Sequence, residues 1–416
     1  MNTSTRLRQP LALRYDSDGK RVGLQKEPRM RDWIIGLSFA FISGTLSLAS
    51  EVPDVLTSAN GKKADTPAVW ESVRRPEVLN LFQTHVFGHN AVERPATLRF
   101  ETTDKGTDMM DGKALRKRIV IRYSGPGGEG AIRVTAFIPK SAKPAPAFLL
   151  ICNRPESNID SDRFEKSPFW PAEDLVARGY AALAFFNGDV DPDAYDGFTN
   201  GVHGVFQPNP AARTPDSWGT IAAWAWGASR VMDWIENEPL IDRARVAVVG
   251  HSRGGKTALW CGAADTRFAL TISNDSGCGG AKLNRMSLPD SESIARITKA
   301  FPHWFCANFS QYANKEAELP LDQHMLIALL APRLAYVASA SEDKWAGQPG
   351  EFRSCVLASP VWKLYGMKGL VGETFPAPDT PLQEGCIGYH LRTGKHDLAL
   401  YDWERYMDFA DRHWKK

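Results

Sequence analysis

The sequence predicts an α/β fold, with a mostly parallel central sheet, helices on both faces and an antiparallel hairpin region at the amino-terminal side. Three observations predict it. Short apolar runs alternate with helix-like segments from residue 146 onward. Two of those runs, 146–152 and 179–186, are almost wholly apolar, as strands covered on both faces are. The third is Arg245-Val246-Ala247-Val248-Val249-Gly250-His251-Ser252-Arg253-Gly254-Gly255-Lys256, which sets Gly-x-Ser-x-Gly between a β-branched run and a helix-like segment.

The elements follow in chain order. Residues 70–82 carry apolar side chains at helical spacing after Pro76, which predicts one amphipathic helix. Residues 98–101, 118–123 and 132–139 have alternating or near-continuous apolar character with Gly-rich turns between them, the pattern of hairpin strands. A helix-like stretch at 170–178 separates the two apolar strands. The alternation then repeats: helix 221–236, strand 245–249, helix 256–264, strand 268–273, a helix-like 291–300, strand 333–339, a last strand near 388–391 and a closing helix near 401–414. Residues 187–218 and 277–319 carry little periodic signal. They follow strands whose carboxyl ends face the Gly-x-Ser-x-Gly turn, so they are expected to wall a pocket.

Composition narrows the class. The chain has 416 residues and a net charge of +2 without a long basic run, so nothing suggests a nucleic-acid surface. Thirteen Trp and twenty Phe are expected mostly in the core, with some free to serve as sugar platforms. Residues 1–29 read as a polar, basic leader, with Met30 as an alternative translation start. Residues 30–49 combine a basic start, an apolar core at 33–42 and Ser47-Leu48-Ala49, the pattern of a signal peptide cleaved near Ser50; an uncleaved anchor is the alternative. Residues 50–416 then form one catalytic domain, secreted or periplasmic, with no stable membrane association. Six cysteines in an exported chain permit one or two disulfides and match no zinc spacing; buried free thiols are the alternative.

Ser252 at a strand-to-helix turn is the candidate nucleophile. Gly250, Gly254 and Gly255 remove the Cβ atoms that crowd such a turn, and the helix start directs N–H groups at a developing oxyanion. A serine hydroxyl needs a base and usually an orienting carboxylate, in the chain order Ser, acid, His. Of nine histidines, His396 alone is expected in a loop between the last strand and last helix, which makes it the candidate base. Asp343, after strand 333–339, and Asp275, after strand 268–273, compete for the acid; strand alternation disfavours Glu342 joining Asp343 at one imidazole. The Arg253 N–H, and its guanidinium, suit an oxyanion hole. Arg253 and Lys256 are cations at a helix amino terminus, against the dipole preference, and so want a reason. The triad requires no metal or organic cofactor.

These residues resemble the glucuronoyl esterases of carbohydrate esterase family 15, in particular the bacterial members, of the α/β-hydrolase superfamily. The resemblance spans residues 70–414 and is most specific at Gly250-His251-Ser252-Arg253-Gly254-Gly255-Lys256, Ser273-Asn274-Asp275-Ser276-Gly277-Cys278, Phe301-Pro302-His303-Trp304-Phe305, Ser341-Glu342-Asp343-Lys344-Trp345 and Gly394-Lys395-His396-Asp397. It implies hydrolysis of the ester between 4-O-methyl-D-glucuronic acid of glucuronoxylan and lignin alcohols. It also implies uronate contacts from Lys256, Glu292 and Trp345, and an oxyanion role for Arg253. Fungal members carry Glu at the position of Asp275 and Cys at that of His251, so the resemblance leaves Asp343 and Asp275 both open and excludes the fungal disulfide. A Cys278–Cys355 pair is implied by some bacterial relatives. Two rival functions stand beside this one: an acetyl-xylan or other carboxylesterase on the same fold, and an inactive hydrolase-fold protein that binds carbohydrate.

Overall fold

The computed structural model describes residues 52–415; the leader and signal segment expected at 1–49 lie outside them. Nine strands form one sheet: β1 (Arg99–Met109), β2 (Ala114–Gly125), β3 (Gly128–Pro139), β4 (Ala145–Cys152), β5 (Ala181–Phe186), β6 (Ile241–His251), β7 (Leu270–Asn274), β8 (Leu334–Ala340) and β9 (Ile387–Arg392). Their spatial order is β1-β2-β3-β5-β4-β6-β7-β8-β9. β1, β2, β3 and β5 pair antiparallel in series, whereas β5, β4, β6, β7, β8 and β9 are parallel. This is the α/β-hydrolase sheet with its antiparallel hairpin region.

Burial follows position. Every residue of β4, β7, β8 and β9 is buried, because helices cover both faces of the parallel part. β1 is an edge strand, mostly polar and exposed, and irregular between Thr102 and Thr107, features that discourage pairing with another chain. At the opposite edge, Leu382 exchanges backbone hydrogen bonds with Tyr389 of β9 at 2.8 and 2.9 Å. Trp70, Trp170, Trp218, Trp224, Trp260, Trp304, Trp362 and Trp403 are all fully buried, so the abundant tryptophans are mainly core.

The expected entry helix is Arg75–Phe82, which continues at both ends into π-helical turns, Trp70–Arg74 and Gln83–Phe87, after a helical turn at Pro67–Val69. The three amino-terminal strands run 11 or 12 residues each, longer than their apolar stretches, because arginines and lysines in β1–β3 continue the ladder where side chains face solvent. Two expected loops contain short helices, Gly201–Phe206 and Ala307–Ser310. The helix Gln348–Ala358 has no sequence forecast; it follows Gly347, whose φ is +68°, and its Pro349 occupies the first turn. All six cysteines are buried and no disulfide forms among the described residues, so the buried-thiol alternative holds and the implied Cys278–Cys355 pair is not made. The Cys278 thiol instead donates to Asn284 Oδ1 at 3.3 Å.

The parallel strands end level with one another. Gly250 is opposite Ser273, Asn274 is opposite Ala338, and Ala340 is opposite Arg392. The residues just past these ends therefore share one edge of the sheet: Ser252 after β6, Asp275 after β7, Asp343 after β8 and His396 after β9.

Candidate active site

The turn at Ser252 is set by close approach. A Cβ on Gly250 would lie 1.9 Å from the Gly254 carbonyl oxygen, and one on Gly255 would lie 2.9 Å from that of Asn274. Ser252 itself has φ 56° and ψ −122°, a conformation that costs a non-glycine residue roughly 1–3 kcal/mol. Its N–H donates to Asn274 O at 2.8 Å, tying the elbow to β7. The Ser252 carbonyl accepts from Gly255 and Lys256 N–H at 2.9 and 3.1 Å. The Arg253 and Gly254 N–H groups thus precede the first intrahelical bonds of the helix Arg253–Ala264, free to meet an oxyanion.

His396 lies beside this elbow. Its Nδ1 donates to Asp343 Oδ2 at 2.6 Å, and its ring centroid is 4.4 Å from that of His251, the residue just before Ser252. The imidazole is 40% exposed, whereas the Asp343 side chain is 4% exposed and also accepts from Ala346 N–H at 3.3 Å. His251 is buried and donates from Nδ1 to Asn274 Oδ1 at 2.6 Å. Burial first, then the neighbouring His396, lowers its pKa well below the usual histidine range, so it stays neutral.

The loop that carries His396 is clamped from below. Arg392 donates from Nη1 to Thr393 O at 3.1 Å and from Nη2 to Lys395 O and Asp397 O at 2.9 and 3.0 Å. Its Nε is held by Asp402 Oδ2 at 3.0 Å. Gly394 has φ +127°, and a Cβ there would lie 2.7 Å from Arg392 Nη1. Glu342 N–H donates to Gly394 O at 2.9 Å and Gly394 N–H to Ser341 Oγ at 3.2 Å, so the acid-bearing and base-bearing loops are laced together.

Both candidate acids reach this point. One donor atom each from Asp275, Asp343 and His396 lie within 4.8 Å of one another. Asp343 takes the imidazole bond. Asp275, with φ 47°, accepts from Ala340 N–H at 2.7 Å through Oδ1, while its buried Oδ2 has no partner among the described residues. Burial, then the charges of Glu351 and Asp343, raise its pKa well above the carboxylate range, so it is held as the neutral acid. Glu342 is exposed, consistent with the alternation argument.

This geometry can run acyl transfer, and comparison with known proteins agrees. Residues 211–366 match the family model described as glucuronyl esterase, fungi. The chain is 39% identical over 391 residues to carbohydrate esterase MZ0003 from an unknown prokaryotic organism, covering 87% of this chain and 89% of that one. The chain belongs to the glucuronoyl esterases of carbohydrate esterase family 15. It superposes on the glucuronoyl esterase from Solibacter usitatus with a TM-score of 0.81 at 36% identity, covering 88% of this chain and 98% of that one. It is 29% identical over 334 residues to a 4-O-methyl-glucuronoyl methylesterase of Podospora anserina, covering 77% of this chain and 61% of that protein.

The residues that the family resemblance assigns to the uronate fall into two settings in this family member. Lys256 is 1% exposed, and its ammonium donates to Ser276 O, to Cys278 O at 2.8 Å and to Glu292 Oε2 at 2.8 Å. Glu292 Oε2 also accepts from Cys278 N–H at 2.9 Å. Glu292 lines a cavity of about 400 Å³ together with Lys282, Arg296 and Lys315. Trp345 is exposed, with the Arg296 guanidinium 5.7 Å from its ring centroid. Arg253 pairs with Asp193 and lies 4.9 Å from the Trp304 ring centroid.

Two residues beyond the sequence analysis belong to this region. Glu351, fully buried, accepts from Ser276 and Gly277 N–H at 2.8 and 2.9 Å and from the Ser339 hydroxyl at 2.6 Å. Burial outweighs those bonds and pushes its pKa up to about 7. Asp193 comes from the aperiodic stretch 187–218. For Glu351 the sequence offered no signal; for Asp193 the only signal was its place after a strand end.

Proposed function

We propose that this chain is a secreted or periplasmic serine esterase, one catalytic domain over residues 50–416, that hydrolyses the ester between 4-O-methyl-D-glucuronic acid of glucuronoxylan and lignin alcohols. The observation that carries this reading is the 2.6 Å bond from His396 to the buried Asp343, beside the strained Ser252 at the end of β6. Family membership and the names of the relatives support the acyl group.

In this mechanism His396 Nε2 takes the Ser252 hydroxyl proton as Oγ attacks the ester carbonyl carbon. The oxyanion is met by the Arg253 N–H and the adjacent guanidinium. Collapse breaks the bond to the alcohol, which leaves with the proton from His396 and yields a glucuronoyl ester on Ser252. Water then attacks with His396 as base, releasing glucuronate and restoring Ser252. Asp343 orients the imidazole and stabilises its charge; Asp275 is auxiliary, a neutral carboxyl beneath the pair. Trp345 offers a face to the pyranose ring. Glu292 meets a sugar hydroxyl through Oε1, which makes no hydrogen bond to the described residues, while Lys256 and the Cys278 N–H hold the carboxylate in place through Oε2.

The test is hydrolysis of benzyl glucuronate against 4-nitrophenyl acetate, with wild type and Ser252→Ala side by side. The expected result is Ser252-dependent cleavage of the glucuronate. Cleavage of the acetate alone would point to the acetyl-esterase rival, and cleavage of neither to the binding-protein rival. Export is supported by the basic and apolar pattern of residues 30–49, and among the described residues no helix is long and apolar enough to cross a membrane. Sequencing the mature amino terminus, expected near Ser50, checks it; an intact 34–48 segment in the purified protein would refute cleavage.

A further inference from the structure

Arg253 cannot be oriented by its backbone alone, because an arginine side chain carries about 2 kcal/mol of rotamer entropy. The structure shows what holds it. Asp193 Oδ2 accepts from Arg253 Nη1, while Asp193 Oδ1 accepts from Trp304 Nε1 at 2.8 Å and lies 3.1 Å from His303 Nε2. Trp304 is stacked on Phe301 with centroids 3.8 Å apart and planes 3° from parallel. The guanidinium sits 4.9 Å from the Trp304 centroid and 5.6 Å from that of Phe301. Asp193 is the only hydrogen-bond partner of Arg253 side-chain nitrogens among the described residues, and Arg253 Nε is buried without one.

We propose that Asp193 is a positioning residue for the esterase reaction: it clamps the Arg253 guanidinium against the Trp304 and Phe301 rings, beside Ser252, so that the cation is in place before the oxyanion forms. The proposal rests on the functional reading above. Asp193 belongs to the segment after β5 and Arg253 to the turn after β6, so the clamp ties that segment to the turn that carries Ser252. Its carboxylate also remains charged: burial alone would raise its pKa, but the bonds from His303 and Trp304 and the Arg253 charge outweigh burial and hold it at about 2. Such preorganisation is what makes a charged donor effective, since no reorientation is left to do at the moment of reaction.

A purely structural role would be to pin the 187–218 segment to Trp304 and His303. A double-mutant cycle of Asp193→Asn and Arg253→Met separates the two. Asparagine keeps an acceptor for Trp304 and removes the charge that holds Arg253. Two readouts are used: steady-state hydrolysis of benzyl glucuronate, and the second-order rate of Ser252 phosphonylation by a fluorophosphonate, which builds negative charge at the same place. The expected result is that Asp193→Asn lowers kcat and the phosphonylation rate by about 10-fold with KM within about twofold, and that it costs nothing further in the Arg253→Met background. An equal loss in both backgrounds, or a loss confined to KM, would overturn the proposal. Phosphonylation does not depend on which ester is the substrate. Wild type that is phosphonylated and cleaves no glucuronate would therefore refute the proposed function, while the cycle on phosphonylation still decides the role of Asp193.

Discussion

Arg253 and Lys256 lie three residues apart at the start of one helix, and each is paired with one carboxylate, yet their surroundings are opposite. Lys256 is buried and spends its three ammonium protons on Glu292 and two backbone carbonyls. Arg253 has a side chain 30% exposed and a single carboxylate partner. Both answer the question that a cation at a helix amino terminus raises, in different ways. This buried ammonium ties together the segment carrying Ser276, Cys278 and Glu292, and a uronate contact from it would share or replace one of those three bonds. A guanidinium has five donors, and one carboxylate leaves it others to offer.

The largest effect should come from carrying this contrast to the two acids. Asp343→Asn removes the negative charge beside His396 and lets an amide donor face Nδ1, which favours the wrong imidazole tautomer, and should lower kcat by about 10³–10⁴. Asp275→Asn replaces an already neutral group and should stay within about threefold of wild type, as the acid held neutral in the native protein needs no charge. Equal losses on the two substitutions, measured with benzyl glucuronate, would mean that Asp275 orients the base.

Next in size is the contrast itself. Arg253→Met should reduce kcat by about 10²-fold with little change in Tm, the usual cost of an oxyanion donor. Lys256→Met leaves Glu292 buried beside two unpaired carbonyls and should cost about 3–5 kcal/mol of stability, read by denaturant unfolding. Should Arg253→Met instead destabilise and Lys256→Met slow turnover alone, the division of labour is reversed.

Trp345→Ala is expected to raise KM by about 3–10-fold with kcat nearly unchanged, the worth of one stacking face. The smallest effect concerns pH. The Glu351 pKa is about 7 in the folded protein, above the unfolded carboxylate range, because burial favours the neutral acid. Between that range and pH 7 the native state binds more protons, so its contribution is full at low pH and is lost as pH rises through about 7. Glu351→Gln removes that loss. The Tm of the variant relative to wild type should therefore rise by about 3 °C or more between pH 5 and pH 8.

The fold was legible because two parallel strands are apolar almost throughout: 146–152 and 179–186 could hardly be anything but covered strands. The elbow was legible because three glycines mark one tight turn. His396 stood out by chain order, and the structure brings it to Asp343. Strand ends alone could not separate Asp343 from Asp275, because both lie next to the same imidazole; what separates them is burial beside Glu351, and Glu351 comes from a helix with no apolar stripe to announce it. Asp193 was hidden for a related reason. Its partners Arg253, His303 and Trp304 are brought to it by folding, from segments 60 and 110 or more residues away.

The Arg392 clamp has an evolutionary consequence. With the histidine loop fixed from beneath by three carbonyl bonds, the imidazole is a stationary landmark, and two neighbouring strand ends already hold carboxyl groups next to it. A lineage can then hand the acid's duty from one strand end to the next by way of an ancestor that holds both groups, without a generation of idle enzyme between.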